Sequence, residues 1–336
     1  MHSLDKLNVI AIGFQDDYSM LDLASLNRYM PVNFVDVPKI LKLIITRFFY
    51  FSEKTSVKLL TLYMRIKFRN CESYLSGNFI LLTNDSIIGL LSLKAIHVSE
   101  PFFKIMLLRN SYQHSKVELG LDNVYYYSFD TKDCELYNFT QYPQYCSGFH
   151  YLLSKGISCD NSLDDKCFDY DFYFLGLNKG RKEHLDYFRK LLIDYNLFID
   201  IKELPSNFQK VINVIFSNIK YINTPYLTHL ENVLKTRVVI DVVKPGQAGI
   251  TMRTLEALLA NKKVITNNPH VSKESFYNSN NIFIYDCLDE VSLDNLSRFL
   301  DAPYVSVNEE IKIKYEPGYV ISSVIADACR KNNSCN

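Results

Sequence analysis

A β-branched run, Arg237-Val238-Val239-Ile240-Asp241-Val242-Val243, leads almost directly into Pro245-Gly246-Gln247-Ala248-Gly249-Ile250-Thr251-Met252-Arg253-Thr254-Leu255-Glu256-Ala257-Leu258-Leu259-Ala260. A strand without polar alternation has to be covered on both faces, which is the situation in a parallel sheet. Gly246 and Gly249 let the backbone turn and approach a ligand with no Cβ in the way. Thr251 is placed as an N-cap, and Leu255, Leu258 and Leu259 give the following segment a helical apolar stripe. The segment therefore reads as strand, glycine turn, helix. A diphosphate at that helix start would meet open N–H groups and the positive dipole end, with Arg253 adding a charge-assisted fork. Glu256 lies about one turn further on, within reach of ribose hydroxyls. Taken alone, the same residues equally describe a plain tight turn followed by a helix with a solvated Glu256.

At 336 residues the chain is long for one core and suited to two domains. With 48% hydrophobic and 22% charged residues it is a folded globular sequence. Its 37 basic and 37 acidic residues balance, which gives no support to a nucleic-acid partner. No cleavable leader precedes the strand-like Leu7-Asn8-Val9-Ile10-Ala11-Ile12-Gly13, so a cytoplasmic location is expected. The eight cysteines show no CxxC and no paired metal spacing, and are expected as free thiols. Cys159 and Cys167 flank an acidic loop and are a weak metal alternative. Residues 39–69 carry Lys39, Lys42, Arg47, Lys54, Lys58, Arg65, Lys67 and Arg69 against Glu53 alone, interleaved with apolar and aromatic residues. Such a segment can lie on an anionic inner-membrane leaflet, or it can be a pair of helices with one solvated face.

Strands are expected at 7–13, 33–37, 78–83 and 123–128, with helical spacing at 54–68 and one or two helices over Leu91–Leu108, broken at Pro101. Periodicity fails from 137 to 168, the best candidate for a domain boundary. A second alternating series follows: strands at 171–176, 197–201, 237–243, 263–266 and 282–285, and helices at 182–195, 224–234, 251–260, 272–278 and 292–300. The closing segment, 319–330, is helical by pattern and could pack back across the boundary. The expectation is an α/β protein with domains at 1–150 and 168–318 and a returning helix in 319–336.

Two glycine-bearing turns fall in the second series, Gly176 to Arg181 and Gly246 to Thr251. In a doubly wound sheet both lie at the carboxyl edge, where Lys179, Arg181 and Arg253 could face one phosphate group. Through Phe174-Leu175-Gly176-Leu177-Asn178-Lys179-Gly180-Arg181, the 246–258 loop and helix, and Lys262-Lys263-Val264-Ile265-Thr266, the chain resembles the GT-B glycosyltransferases. These have two Rossmann-like domains facing a cleft, and the likeness is nearest to bacterial enzymes of cell-surface polysaccharide, lipopolysaccharide core and capsule synthesis. The resemblance covers the carboxyl-terminal half by motif and the amino-terminal half by architecture. It implies a nucleotide-sugar donor in the second domain, held by Gly176, Lys179, Arg181, Gln247, Gly249, Thr251, Arg253 and the ribose-binding Glu256. It further implies a saccharide or glycolipid acceptor in the first domain, and no cofactor or bound metal, since helix dipoles and basic residues neutralise the departing diphosphate.

Retaining members carry Glu eight positions before the ribose Glu, and here that position is Ala248. The stereochemical course is therefore left open. An inverting enzyme needs a base in the first domain, for which Asp16 and Asp17 after the first strand, then Asp85, then His97 or Glu100, are candidates. Each of these also reads as a cap or surface residue. The histidines at 184, 229 and 270 are expected to be structural. Ala248 also motivates a different class of protein, a non-catalytic binding or assembly partner in the same pathway. A nicotinamide dehydrogenase would want GxGxxG after the first strand, and Gly13-Phe14-Gln15-Asp16 does not provide it.

Overall fold

The computed structural model describes residues 7–112, 119–156, 168–203 and 224–332. Cys159, Cys167 and the six residues preceding Leu7 lie outside the described residues. The chain divides into two compact units, residues 1–143 with 316–336 and residues 144–315.

Unit 1 runs β1 (Val9–Ile12), α1 (Asp17–Leu26), β2 (Val32–Val35), α2 (Lys39–Phe49), α3 (Glu53–Lys67), α4 (Glu72–Ser76), β3 (Ile80–Asn84), α5 (Ile87–Ala95), β4 (Lys104–Leu108), β5 (Val124–Ser128), α6 (Thr131–Tyr137) and β6 (Thr140–Gln141). Its six strands are all parallel, in the order β2-β1-β3-β4-β5-β6. The order reverses between β1 and β3, and the carboxyl ends of two such strands are where sheets of this kind commonly take ligands. Ile10, Ile12 and Leu81 pack on Ile88 and Leu91 of α5 and on Leu60 and Met64 of α3. Each such burial contributes roughly 1.5–3 kcal/mol.

Unit 2 runs α7 (Phe149–Gly156), β7 (Tyr170–Leu177), α8 (Lys182–Leu191), β8 (Leu197–Lys202), α9 (Tyr226–Leu234), β9 (Thr236–Asp241), α10 (Met252–Leu259), β10 (Lys263–Thr266), β11 (Ile282–Ile284), α11 (Leu293–Asp301) and α12 (Glu309–Lys312), with a 3-10 turn at Pro269–Lys273. Its five strands are parallel, in the order β11-β10-β9-β7-β8. The reversal here falls between β7 and β9. Phe172, Phe174, Val238, Ile240 and Ile265 pack on Leu185 and Phe188 of α8 and on Leu296 and Phe299 of α11.

The segment expected to be helical through Leu108 holds one helix, α5, and then the central strand β4. Ile105-Met106-Leu107-Leu108 is apolar on both faces because α/β layers cover both sides of the sheet, and such a short run carries no period that separates helix from strand. Helix α7 and its lead-in occupy part of the 137–168 stretch that reads as irregular.

The chain returns to unit 1 as α13 (Pro317–Lys331), with Pro317 in its first turn and Glu316 accepting from the Tyr319 N–H as N-cap. Glu316 also accepts from the Ser25 hydroxyl, whose oxygen accepts from the Gly318 N–H at 3.0 Å. A Cβ on Gly318 would stand 2.5 Å from the Ser25 carbonyl oxygen and 2.6 Å from the Tyr29 ring. The α1–α13 contact therefore needs glycine at this point. Gly318→Val is expected to lower the stability of unit 1 by about 2 kcal/mol, read as a lower midpoint in urea unfolding.

Candidate functional site

The turns leaving β7 and β9 meet at the reversal point of the second sheet. After β7, Lys179 (φ +40°) and Gly180 (φ +83°) are both left-handed, and Asn178 fixes the turn by accepting from the Arg181 N–H through its carbonyl and the Lys182 N–H through its side chain. A Cβ on Gly180 would come within 3.4 Å of Pro245 in the other loop. After β9, Gly246 is left-handed (φ +84°), and the Gly249 carbonyl accepts from Asn268 Nδ2 at 3.2 Å and Gln247 Nε2 at 3.4 Å. Thr251 caps α10, accepting from the Thr254 N–H.

Asp241, the last residue of β9, is fully buried and organises this edge. Its Oδ2 accepts from the Thr251 hydroxyl at 2.5 Å and the Thr254 hydroxyl at 2.7 Å, which pins the start of α10 to the strand end. Its Oδ1 has no hydrogen-bond partner among the described residues and stands 3.7 Å from Arg253 Nη1. Arg253 donates from Nε and Nη2 to the Leu175 carbonyl at 3.2 and 3.0 Å and lies 5.0 Å over the Phe174 ring. Gly176 supplies the room, since a Cβ there would fall 2.3 Å from Arg253 Nη2. Arg181, only 5% exposed, donates from Nε to the Val242 carbonyl at 2.5 Å and from Nη1 to the Leu177 carbonyl at 3.0 Å. Burial, then the charge of Arg253, lowers the Arg181 guanidinium to about 10, against the opposing pull of Asp241. Two guanidiniums thus converge on one carboxylate, leaving positive charge in excess where the fold collects ligands.

Glu256, the ribose acceptor that the resemblance implies, is held in a buried hydrogen-bond network. It is 1% exposed, and its oxygens accept from the Tyr226 hydroxyl and from His229 Nε2, both at 2.8 Å. The Tyr226 oxygen accepts from the Gly148 N–H at 3.1 Å, and His229 Nδ1 is 2.8 Å from the Tyr173 hydroxyl. Burial alone would raise the Glu256 carboxyl, but His229, Tyr226 and Arg253 outweigh it and hold it below the usual carboxylate range. The other two histidines sit apart from this network: His184 Nδ1 lies 3.0 Å from the Tyr285 hydroxyl, and His270 is in the 3-10 turn.

In unit 1, Asp16, Asp17 and Asp85 all lie at the carboxyl edge beside the β1/β3 reversal. Asp16 precedes α1 and is 3.8 Å from Lys42, and Asp17 opens the helix in solvent. Asp85 accepts from the Asn110 N–H and Nδ2, both at 3.0 Å; burial raises its carboxyl despite Asn110 and Arg109. Arg109 pairs with buried Asp22 at 3.2 Å and lies 5.8 Å from the Tyr18 ring. Burial, followed by Asp16, raises the Tyr18 hydroxyl to about 12, with Asp85 and Asp22 adding and Arg109 opposing, so these groups share one neighbourhood. His97 and Glu100 follow α5 and precede β4, which places them at the opposite edge of the sheet. Among the described residues no group of three or more His, Cys, Asp or Glu side chains could hold a metal ion.

No family model matches the chain, and neither does any curated protein by sequence. Solved structures do match in fold. An α-glucosyltransferase in complex with UDP and a 13-mer DNA containing an A:G mismatch aligns with a TM-score of 0.51 at 11% identity, covering 96% of this chain and 98% of that one. An α1,3-fucosyltransferase aligns with a TM-score of 0.50 at 9% identity, covering 96% and 90%. MnaA of S. aureus, solved with UDP, gives 0.50 at 10% identity, covering 97% and 96%. The fold is the GT-B fold of two Rossmann-like units.

Sequence reasoning missed Asp241, although a carboxylate closing a β-branched strand ten residues before a Thr cap is a readable signal. It named His229 only as a structural histidine and missed Tyr173 and Tyr226, which join it around Glu256. A depressed Glu256 adds stability that is fully present above its unfolded value of about 4.5 and is lost as pH falls through the lower folded value. Glu256→Gln, which turns an N–H₂ or a lone amide oxygen toward two donors, is expected to cost about 1–3 kcal/mol at neutral pH. In urea unfolding across a pH series, the gap to the parent protein should close below the unfolded value.

Proposed function

We propose that the protein is a glycosyltransferase using a nucleoside-diphosphate sugar, with the diphosphate bound at the β7/β9 reversal of unit 2. The observation that carries this reading is the pair Arg181 and Arg253, held by backbone carbonyls around a single buried carboxylate. A diphosphate would balance their excess charge, and the glycine turns and α10 N-terminus would provide N–H donors. Lys179 and Gln247 stand on the same two loops and are assigned to the donor as well, with Gly249 and Thr251 shaping the approach. As the sugar departs from the diphosphate, these fixed positive groups stabilise the leaving oxygen without a resident cofactor or metal. In this reading Glu256 acts by holding α9 and α10 together under the loop, and any ribose contact uses its remaining lone pairs.

Unit 1 is assigned the acceptor, a saccharide carried on a lipid, and the base that takes its proton. Of the three acidic candidates, Asp85 has the raised carboxyl and the fixed hydrogen bonds suited to a base working near neutral pH. The setting that best suits the reading is surface-polysaccharide synthesis at the inner face of the cytoplasmic membrane. Buried Ala248 and the fully engaged Glu256 favour one other reading, a binding protein of the same fold that does not turn over. Release of a nucleoside diphosphate with formation of a glycosylated product in vitro would dispose of it.

A hundredfold excess of UDP, or of whichever nucleoside diphosphate is preferred, over its dissociation constant is expected to raise unfolding stability by about 2.7 kcal/mol. Arg253→Ala should weaken that binding about tenfold or more by calorimetry, with circular dichroism unchanged. If no nucleoside diphosphate stabilises the protein, the donor assignment is wrong. Asp85→Asn should leave nucleotide binding intact and reduce transfer by roughly 10²–10⁴-fold, and in the parent enzyme the acid limb of the rate profile should titrate above the ordinary carboxylate range.

A further inference from the structure

Helix α2 is apolar on two faces and covered on one. Its inner stripe, Leu41, Ile45 and Phe49, packs with Val57, Leu60 and Met64 of α3, and Ser56 locks the pair by donating to the Ile45 carbonyl at 2.9 Å. A second stripe, Ile40, Leu43, Ile44, Phe48 and Phe51, follows the same helical spacing on the outside. All five of its residues are exposed, Ile40 to 76% and Phe51 to 68%. A surface helix of a globular protein normally carries polar residues there. On α3, Lys58, Leu62, Arg65 and Ile66, with Arg69 just beyond, form a similar exposed line.

Charge decides what such a face fits. Residues 39–69 hold eight basic side chains and one acidic one, whereas the whole chain balances 37 against 37. The single acid, Glu53, is paired with Lys94 at 2.5 Å. An apolar stripe about 16 Å long, edged by long basic side chains and by Phe48, Tyr50 and Phe51, matches the layered chemistry of an anionic bilayer surface. Acyl chains take the apolar stripe, lipid phosphates take the lysines and arginines, and aromatic rings sit between them. Among the described residues no helix is long and apolar enough to cross a membrane, so the contact is superficial.

We infer that the outer face of α2, extended by the basic residues of α3, docks the protein on anionic lipid. This does not depend on the nucleotide reading, because it is measured with no nucleotide present. The full chain is floated with vesicles of phosphatidylcholine alone and of phosphatidylcholine with phosphatidylglycerol. Binding to the anionic vesicles is expected to be at least about tenfold tighter and to collapse in 1 M salt, where the Debye length is roughly 3 Å. The exposed-site double variant Ile40→Glu, Phe51→Glu should lose binding about tenfold while keeping its circular dichroism and thermal midpoint. Lys39→Glu with Lys42→Glu should lose the preference for phosphatidylglycerol. Equal or absent flotation with both vesicles would overturn the inference. So would a dimer, seen by light scattering, that the Ile40→Glu, Phe51→Glu variant dissolves while the parent protein ignores vesicles; the stripe would then belong to a second copy of the chain.

Discussion

The second unit depends on one buried carboxylate. Asp241 closes the central strand, takes the hydroxyls of Thr251 and Thr254, and offsets the charge of both Arg181 and Arg253. Removing it would deprive α10 of its anchor and leave two guanidiniums repelling each other in a poorly solvated place. Its hydrogen bonds go to the helix start, while its charge offsets part of that of the two arginines. They are held by carbonyl oxygens of Leu175, Leu177 and Val242, which orient a guanidinium without cancelling its charge. Orientation of the guanidiniums is thereby left to neutral groups, and one carboxylate faces two positive charges.

Both sheets reverse direction between their first and third strands in sequence, and in both the reversal gathers chemistry at the carboxyl edge. The two edges differ in sign. Unit 1 presents Asp16, Asp17 and Asp85, and unit 2 presents Arg181 and Arg253 around Asp241 with Lys179 on the same turn as Arg181. Topology fixes where a ligand is met, and the side chains fix what kind. A basic edge suits a diphosphate, and an edge with a raised carboxyl suits proton transfer.

The sequence carried the α/β alternation because each strand run is short, β-branched or aromatic and followed by a turn residue, as at Val238–Ile240 and Phe172–Phe174. It failed at Lys104–Leu108, where burial on both faces erases the period that would separate strand from helix. Positive charge at the turns after β7 and β9 was legible from Arg181 and Arg253, and glycine from Gly176, but its reason was not: Gly176 makes room for a guanidinium 77 residues later in the chain, a steric fact with no local trace. Glu256 shows the same limit. Its helix position was readable, whereas its partners Tyr226, His229 and Tyr173 reach it only after α9 and β7 have packed, so a residue resembling a ligand contact turns out to be buried and engaged.

That engagement bears on mechanism together with Ala248. The loop after β9 carries no carboxylate of its own: Ala248 is packed away, Asp241 is committed to the start of α10, and Glu256 is tied to Tyr226 and His229. In the proposed reaction such a loop would hold and polarise a diphosphate, and no proton removal is assigned to it. The proposed transfer then needs its proton acceptor elsewhere in the chain, and Asp85, which accepts from Asn110, is raised by burial and lies beside the β1/β3 reversal, is the candidate. Under the proposed reaction the proton chemistry is assigned to Asp85, and charge and shape to the loop from Pro245 to Glu256.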